Sequence, residues 1–517
     1  MGLPRLSLSA LALVVGCAEP LELGAVELEL RPSTPDSGLP PPTYEPGVTV
    51  EHLDTNSFRV HYARTGQHAV PAPDANQDGV PDAVQTVASE YERVLAHFRD
   101  KLGFLPPRSD ANLQDDNGGD GRFDVYLVDF PNSADGSFRA EGCSAGVCTG
   151  YMLQENDFDG RGYPSLLTAT RILASHELFH AVQNAYRSVP SVVLSEATAV
   201  WASEEYDPSL SDFEGFLPAY LTRPDRSLLQ EPLGPPDSFS YGAGLFFAML
   251  SEQCPSGLVR ALWEELARSE DAWPVALDRV MQPRCGSLAD MFVRFARFNL
   301  RTGSRASRDE GYANAASYPE VPELPVTLPY HDELLRTLPL STHYFVADAS
   351  EPVALWASSG DVRALLAIEG ADGTLRTPQS MPANVITPLA ASPGERVHAA
   401  VVDTRSAGNT LRLQVCLGSP SYVQQCAGLM EDAGVAPEDA GSSPVADAGV
   451  PIVDAAVDAA VSVEAGVSMA RGDDGCSLGS SRSGYAWLAL ALALRLRRRR
   501  SAAALVRACR SARFLRA

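Results

Sequence analysis

The string His176-Glu177-Leu178-Phe179-His180 lies inside a helical pattern that runs from Thr168 to Tyr186. Nothing else in the chain narrows its fold as much. At 100° per residue, histidines four apart share one helix face, so both imidazoles can hold one Zn²⁺ while Glu177 stands beside them to take a proton from water. Leu178, Val182 and Ala185 form the opposite stripe and predict that this helix is buried along it. Two imidazoles on one helix need a third ligand brought back by the chain. Glu196, in Leu194-Ser-Glu-Ala-Thr-Ala-Val-Trp201, follows His180 by sixteen residues at the start of a second helical pattern, which allows a turn and an antiparallel return. Glu204 and Glu205, further along that helix, are the rival ligands. A Glu in the first turn of a helix also favours the helix dipole without any metal.

The resemblance becomes specific in longer strings. Thr170-Arg-Ile-Leu-Ala-Ser-His-Glu-Leu-Phe-His-Ala-Val-Gln183, Ser195-Glu-Ala-Thr-Ala-Val-Trp201, Phe123-Asp-Val-Tyr126 and Asn156-Asp-Phe158 together resemble a family of secreted HExxH metalloproteases of myxobacteria and related bacteria. The likeness runs from Asp74 to Phe247. It implies a gluzincin-like site with zinc on His176, His180 and Glu196, with Glu177 as catalytic base acting on a peptide or protein substrate. The gluzincin third ligand is typically followed three residues later by a small residue, here Ala199. Gln183 stands where the metzincin pattern HExxHxxG has its glycine, which disfavours that arrangement. Peptide hydrolysis also needs a donor for the oxyanion. Tyr241, in Phe239-Ser-Tyr-Gly-Ala-Gly244, is the first candidate, with Tyr206 and His331 behind it. Asn156, Asp157 and Asp159 offer hydrogen bonds to the histidines, and a surface turn explains them equally well.

A second cation signal sits upstream. Asp74-Ala-Asn76-Gln-Asp78-Gly79-Val-Pro-Asp82 places oxygen ligands at alternating positions around a glycine, like the front half of an EF-hand-like calcium loop. Gln85 occupies the position of the closing Glu, which leaves Asp82 as the closing carboxylate. Asp115-Asp-Asn-Gly-Gly-Asp120-Gly-Arg-Phe-Asp124 is a looser version. Clusters of Asp, Asn and Gly are also ordinary turns.

Both termini read as addresses. Arg5, the apolar stretch Leu6 to Val15 and Gly16-Cys17 have the shape of a signal peptide over 1–17, and Val14-Val15-Gly16-Cys17 resembles a bacterial lipobox with Cys17 as the lipidated residue. At the other end, Gly475-Cys476-Ser477, the apolar run Tyr485 to Leu494 and an Arg cluster ending at Arg500 resemble the myxobacterial C-terminal sorting signal over 472–500, followed by a basic tail at 501–517. Ten apolar residues fall short of the ~20 that span a bilayer. Export fits the cysteines. Cys143 with Cys148, Cys254 with Cys285 and Cys416 with Cys426 are neighbours in sequence and form the simplest disulfide set.

Between these ends the 517 residues, 45% apolar, suffice for two or three domains. The formal charge is −24, but the chain from Arg471 onward holds eleven Arg against two Asp, which leaves 30 bases against 63 acids in the body. Such a body repels phosphates and excludes nucleic acid as a partner. The fold expected is α+β. A zincin-like metalloprotease domain spans 48–320 and contains helices near Ala83 to Leu102 and Leu166 to Arg187 and a strand at Phe123 to Val128. A small all-β sandwich follows at 321–418, then a disordered acidic stalk at 419–471; a linker occupies 18–47. The function expected is an exported endopeptidase at the cell surface or outer membrane, using zinc and taking calcium for structure. The alternative is a non-catalytic surface or adhesion protein stabilised by the same ions.

Overall fold

A computed structural model describes residues 43–428, apart from 114–116, 131–134, 189–190, 211 and 308–309. The expected signal peptide with Cys17, most of the 18–47 linker, the acidic stretch after Gly428, the sorting segment and the basic tail lie outside the described residues. What is described is a mixed α+β fold.

The first sheet contains β1 (Val50–Asp54), β2 (Phe58–Ala63), β3 (Phe123–Val128), β4 (Gly136–Ser144) and β5 (Val147–Glu155), in the order β1-β2-β3-β5-β4. β2, β3 and β5 run parallel, and the edge strands β1 and β4 run antiparallel to their neighbours. All six residues of β3 are buried, as expected of a central strand covered on both faces. Phe123, Val125 and Leu127 face a core shared with α1 (Asp82–Ala96) and α2 (Leu166–Tyr186). Tyr126 and Val128 face a second core with Tyr44, Tyr151 and Leu153. Cys143–Cys148 closes the β4–β5 turn.

α2 starts where Ser165, in extended backbone, accepts the Thr168 amide on its hydroxyl at 3.1 Å. Leu178, Phe179 and Val182 are fully buried, each contributing roughly 1.5–3 kcal/mol of transfer free energy. A short connection leads to α3 (Val192–Tyr206), capped by Ser191 and by Glu231, which accepts the Val192 amide at 2.8 Å where the helix dipole favours an anion. The edges of Phe98, Phe104 and Trp201 meet Phe179 with ring centroids 5.1–5.9 Å away, which locks the two helices against α1 and the π-helical turn His97–Lys101 that prolongs it. Five further helices, α4 (Phe213–Leu221), α5 (Ser238–Gly242), α6 (Gly244–Gln253), α7 (Leu258–Leu266) and α8 (Trp273–Met281), lead to α9 (Leu288–Leu300), with Cys254–Cys285 bonded.

The remaining chain forms two sheets. β6 (Leu324–Pro325), β8 (Ser341–Ala349), β10 (Val362–Glu369), β11 (Gln379–Pro382) and β12 (Glu395–Asp403) are ordered β11-β10-β12-β8-β6; β7 (Tyr330–Thr337), β9 (Ala354–Ala357) and β13 (Leu411–Gly418) are ordered β7-β13-β9. Ala364, Leu366 and Ile368 of β10 share a core with Leu413, Val415 and Leu417 of β13. The alternate residues Leu365 and Ala367, with Ala400 and Val402 of β12, belong to the helical core instead. The Tyr344 hydroxyl donates to the Ala296 carbonyl of α9 at 2.8 Å.

Three expected borders change. Folding begins before Val48, because Tyr44 is buried and its hydroxyl donates to the Leu127 carbonyl at 2.9 Å. The border at 320/321 is no break in packing, since both sides contribute to one core. The fold also continues past 418 into the expected stalk: α10 (Pro420–Cys426) buries Val423 on the last strand, and Cys416–Cys426 is bonded.

Candidate metal centre

The α2–α3 hairpin brings His176, His180 and Glu196 together. Their facing atoms form a triangle: His176 Nε2 to Glu196 Oε2 is 3.1 Å, His180 Nε2 to Glu196 Oε2 is 3.5 Å, and the two Nε2 atoms are 3.3 Å apart. Tetrahedral ligands at the usual zinc distances of about 2.0–2.1 Å are separated by about 3.4 Å, so this triangle has the dimensions of three corners of such a site. Two imidazoles and a carboxylate are also the donor types zinc takes. Glu196 is 8% exposed and the two histidines are partly buried. Burial by itself disfavours the charged forms of His180 and Glu196. Their mutual attraction outweighs it, holding the pKa of His180 above and that of Glu196 below the ordinary value, the latter with His176 adding to the effect.

The hairpin also orients the ring of His180. Its Nδ1 faces the Gln183 side-chain carbonyl at 2.9 Å and the Ser195 hydroxyl at 3.2 Å, and the Gln183 amide donates to the Ser195 carbonyl at 2.9 Å. Glu177 faces the edge strand. Its Oε2 accepts the Phe138 amide of β4 at 2.9 Å. On α1, Tyr91 is buried with its hydroxyl unpartnered; burial first, and then the Glu177 charge, push its pKa well above the ordinary value.

Tyr241 reaches the site through close helix packing. Gly242 lies where a Cβ would come within 2.7 Å of the Phe216 carbonyl, and Gly244 where it would come within 2.9 Å of Val200, so α5 and α6 can approach α4 and α3 closely. The Tyr241 ring then sits 5.6 Å from that of His176 and stacks on Phe216 at 5.0 Å.

Other expected site residues lie elsewhere. Glu204 and Glu205 are outside the triangle; burial, then Glu214, Glu205 and Asp207, raise Glu204 to about 7. Tyr206 spends its hydroxyl on Glu90, and His331 contacts Gln414 at 3.0 Å on the two-sheet part of the fold, so neither is placed to serve an oxyanion at the triangle. Asn156 is buried and donates to the Ala69 carbonyl at 2.7 Å, and Asp157 accepts the Asp159 amide in an exposed turn, so these bonds turn them away from the histidines; the surface-turn reading fits Asp157 and Asp159 but not Asn156.

In the first acidic loop several oxygens serve the backbone of the loop itself, while Asp74 Oδ1 is buried without a hydrogen-bond partner. Asp74 accepts the Gly79 amide at 2.9 Å, Asn76 that of Asp78 at 3.1 Å, Asp78 that of Val80 at 2.9 Å, and Asp82 that of Ala75 at 3.2 Å. The carboxylates of Asp74, Asp78 and Asp82 are not gathered within 4.8 Å of one another. In the second loop Asp115 lies outside the described residues, Asp120 pairs with Arg59 at 2.8 Å, and Asp124 with His61 at 2.7 Å. A further grouping of His331 with Cys416 and Cys426 contains no free thiolate, since the two sulfurs are bonded to each other.

Two contributors were not singled out as site residues from the sequence: the Phe138 amide and Gln183. Gln183 carries a readable signal, because a side chain three residues after His180 lies on the same helix face. The Phe138 amide depends on which strand comes alongside. The chain matches no protein-family model and no curated protein sequence.

Proposed function

We propose that the chain is a zinc-dependent endopeptidase of the gluzincin kind, with the two-sheet part as a β-sandwich accessory domain on a zincin-like catalytic domain. The observation that carries this reading is the His176–His180–Glu196 triangle with Glu177 beside it. A purely structural metal site needs ligands but no base, and an intact Glu177 favours catalysis. Zinc held by His176, His180 and Glu196 would supply a Lewis acid there.

The residues of the chain divide the remaining work. Glu177 has Oε2 anchored by the Phe138 amide, which leaves its other oxygen to accept a proton from the attacking water and return it to the leaving amine. β4 is an edge strand, paired on one side with β5. In an antiparallel pair outward-facing backbone groups alternate, so the outward Phe138 amide implies that Gly136 and Ala140 also face out, and an extended peptide can align along them. Tyr241 is the residue assigned to the oxyanion, from its place beside His176. Three disulfides support an oxidising, extracytoplasmic setting, and with the terminal segments they favour an exported protein held at a cell surface. Among the described residues no helix is long and apolar enough to cross a membrane.

The test is metal content and cleavage of an unstructured protein substrate for wild type and Glu177→Gln. One zinc per chain in both, with cleavage only in wild type and at least ~10²-fold lower in the variant, supports the proposal. Zinc without cleavage in either points to the adhesion-protein alternative, and absence of zinc refutes the reading.

A further inference from the structure

We infer that Gln183 is a positioning residue that fixes the ring of His180 for metal binding and holds the two ligand-bearing helices in register. The inference rests on the reading of His176, His180 and Glu196 as zinc ligands. Gln183 is 2% exposed, so its amide has no water to fall back on and must find partners within the protein.

The surrounding groups leave one orientation for that amide. Its nitrogen lies 2.9 Å from the Ser195 carbonyl, which only accepts, and 3.0 Å from the Thr198 hydroxyl, which already donates to the Leu194 carbonyl at 2.9 Å. Both neighbours therefore require N–H donors. A flipped amide would set its oxygen against a carbonyl oxygen, and that excludes the alternative. The oxygen of Gln183 consequently faces the Ser195 hydroxyl at 2.8 Å and His180 Nδ1 at 2.9 Å.

An acceptor at Nδ1 calls for a hydrogen on Nδ1. In the neutral imidazole this leaves the Nε2 lone pair directed at the triangle, 3.3 Å from His176 Nε2. The same side chain grips the carbonyl of Ser195, the residue immediately before Glu196. One amide thus sets both the tautomer of the second ligand and the position of the third. Hydrogen bonds of this kind to a ligating histidine are typically worth about 10–100-fold in metal affinity.

The test compares the zinc affinity of the full chain, measured by competition with a chromophoric chelator, for wild type, Gln183→Met and Gln183→Glu. Unfolding temperatures of the three metal-free proteins are measured alongside. Both substitutions lose the N–H donors to Ser195 and Thr198, so both lower the metal-free unfolding temperature. Only Gln183→Glu keeps an acceptor for Nδ1. The expected result is weaker zinc binding in both variants, by about 10–100-fold in Gln183→Met and by clearly less in Gln183→Glu, which keeps the acceptor but not the tie to Ser195. Gln183→Met binding zinc as tightly as wild type overturns the inference. Equal weakening in both variants overturns the tautomer role and leaves a helix tie alone. A wild type that takes no zinc instead overturns the metal reading on which the inference rests.

Discussion

Glu204 offers a test of the electrostatics around α3 that needs neither substrate nor metal. It lies partly buried, and its pKa is raised from 4.5 to about 7, first by burial and then by Glu214, Glu205 and Asp207. Below pH 4.5 the carboxyl is protonated in folded and unfolded chains alike and contributes nothing. As pH rises through 4.5 the unfolded chain releases its proton first, so the native state is progressively disfavoured until the pH passes about 7, where the penalty is complete. The interval corresponds to an upper limit of about 3.4 kcal/mol at 1.36 kcal/mol per decade. Partial solvation and screening reduce the expected penalty to about 1–2 kcal/mol. Glu204→Gln removes the charge and keeps the shape. The variant is therefore expected to be more stable than wild type by about 1–2 kcal/mol at pH 8, roughly 1–3 °C in unfolding temperature for a fold of this size, and indistinguishable from it at pH 4.5. Thermal and urea unfolding at the two pH values read this directly. Equal effects at both pH values, or a less stable variant at pH 8, refute the reasoning.

The remaining predictions concern the ligands, the helix clamp and the acidic loop. Glu196→Ala is expected to abolish stoichiometric zinc binding while Glu204→Ala and Glu205→Ala retain it, as read by metal analysis after dialysis; the reverse pattern assigns the third ligand to the far end of α3. Glu90 is fully buried and joins α1, α2 and α3 by accepting from Arg171 at 3.0 Å, Arg93 at 3.1 Å and the Tyr206 hydroxyl. Glu90→Ala should cost about 2–4 kcal/mol in denaturant unfolding, below the largest losses for broken buried pairs because Arg171 and Arg93 reach water. Asp74 keeps one buried carboxylate oxygen without a hydrogen-bond partner, so unfolding with and without millimolar calcium tests the expected cation loop: a calcium-dependent rise lost in Asp78→Asn supports it, and an unchanged unfolding temperature leaves the loop a turn.

Much of the candidate site was legible because helices impose short, regular spacings. His176 and His180 are about one turn apart with Glu177 next to the first, and their mutual placement follows from helix geometry alone. The return to Glu196 was readable because a brief connection allows little but an antiparallel partner, and the disulfide pairs because each joins neighbours in sequence. The strand at Phe123–Val128 was readable from its apolar residues, mostly β-branched and aromatic, interrupted by Asp124 alone. β4 and β5 escaped notice, for their pattern is interrupted by glycines that let Phe138 and Leu173 pack closely: a Cβ on Gly150 would come within 2.5 Å of the Phe138 ring, and one on Gly136 within 2.7 Å of Leu173.

By itself the sequence determined the candidate ligand pair, the candidate base beside it and the alternation of helix and strand, because each rests on residues within a turn or two of one another. Only the tertiary structure decided that Glu177 leans on the Phe138 amide, that Gln183 contacts His180 and that Tyr241, rather than His331, stands near His176. It alone decided that Tyr44 and Val423 belong to the fold. These contacts join segments far apart in the chain or depend on the rotation of one helix against another. Burial and the need to satisfy every buried polar group select them, and both act only once the chain has closed on itself.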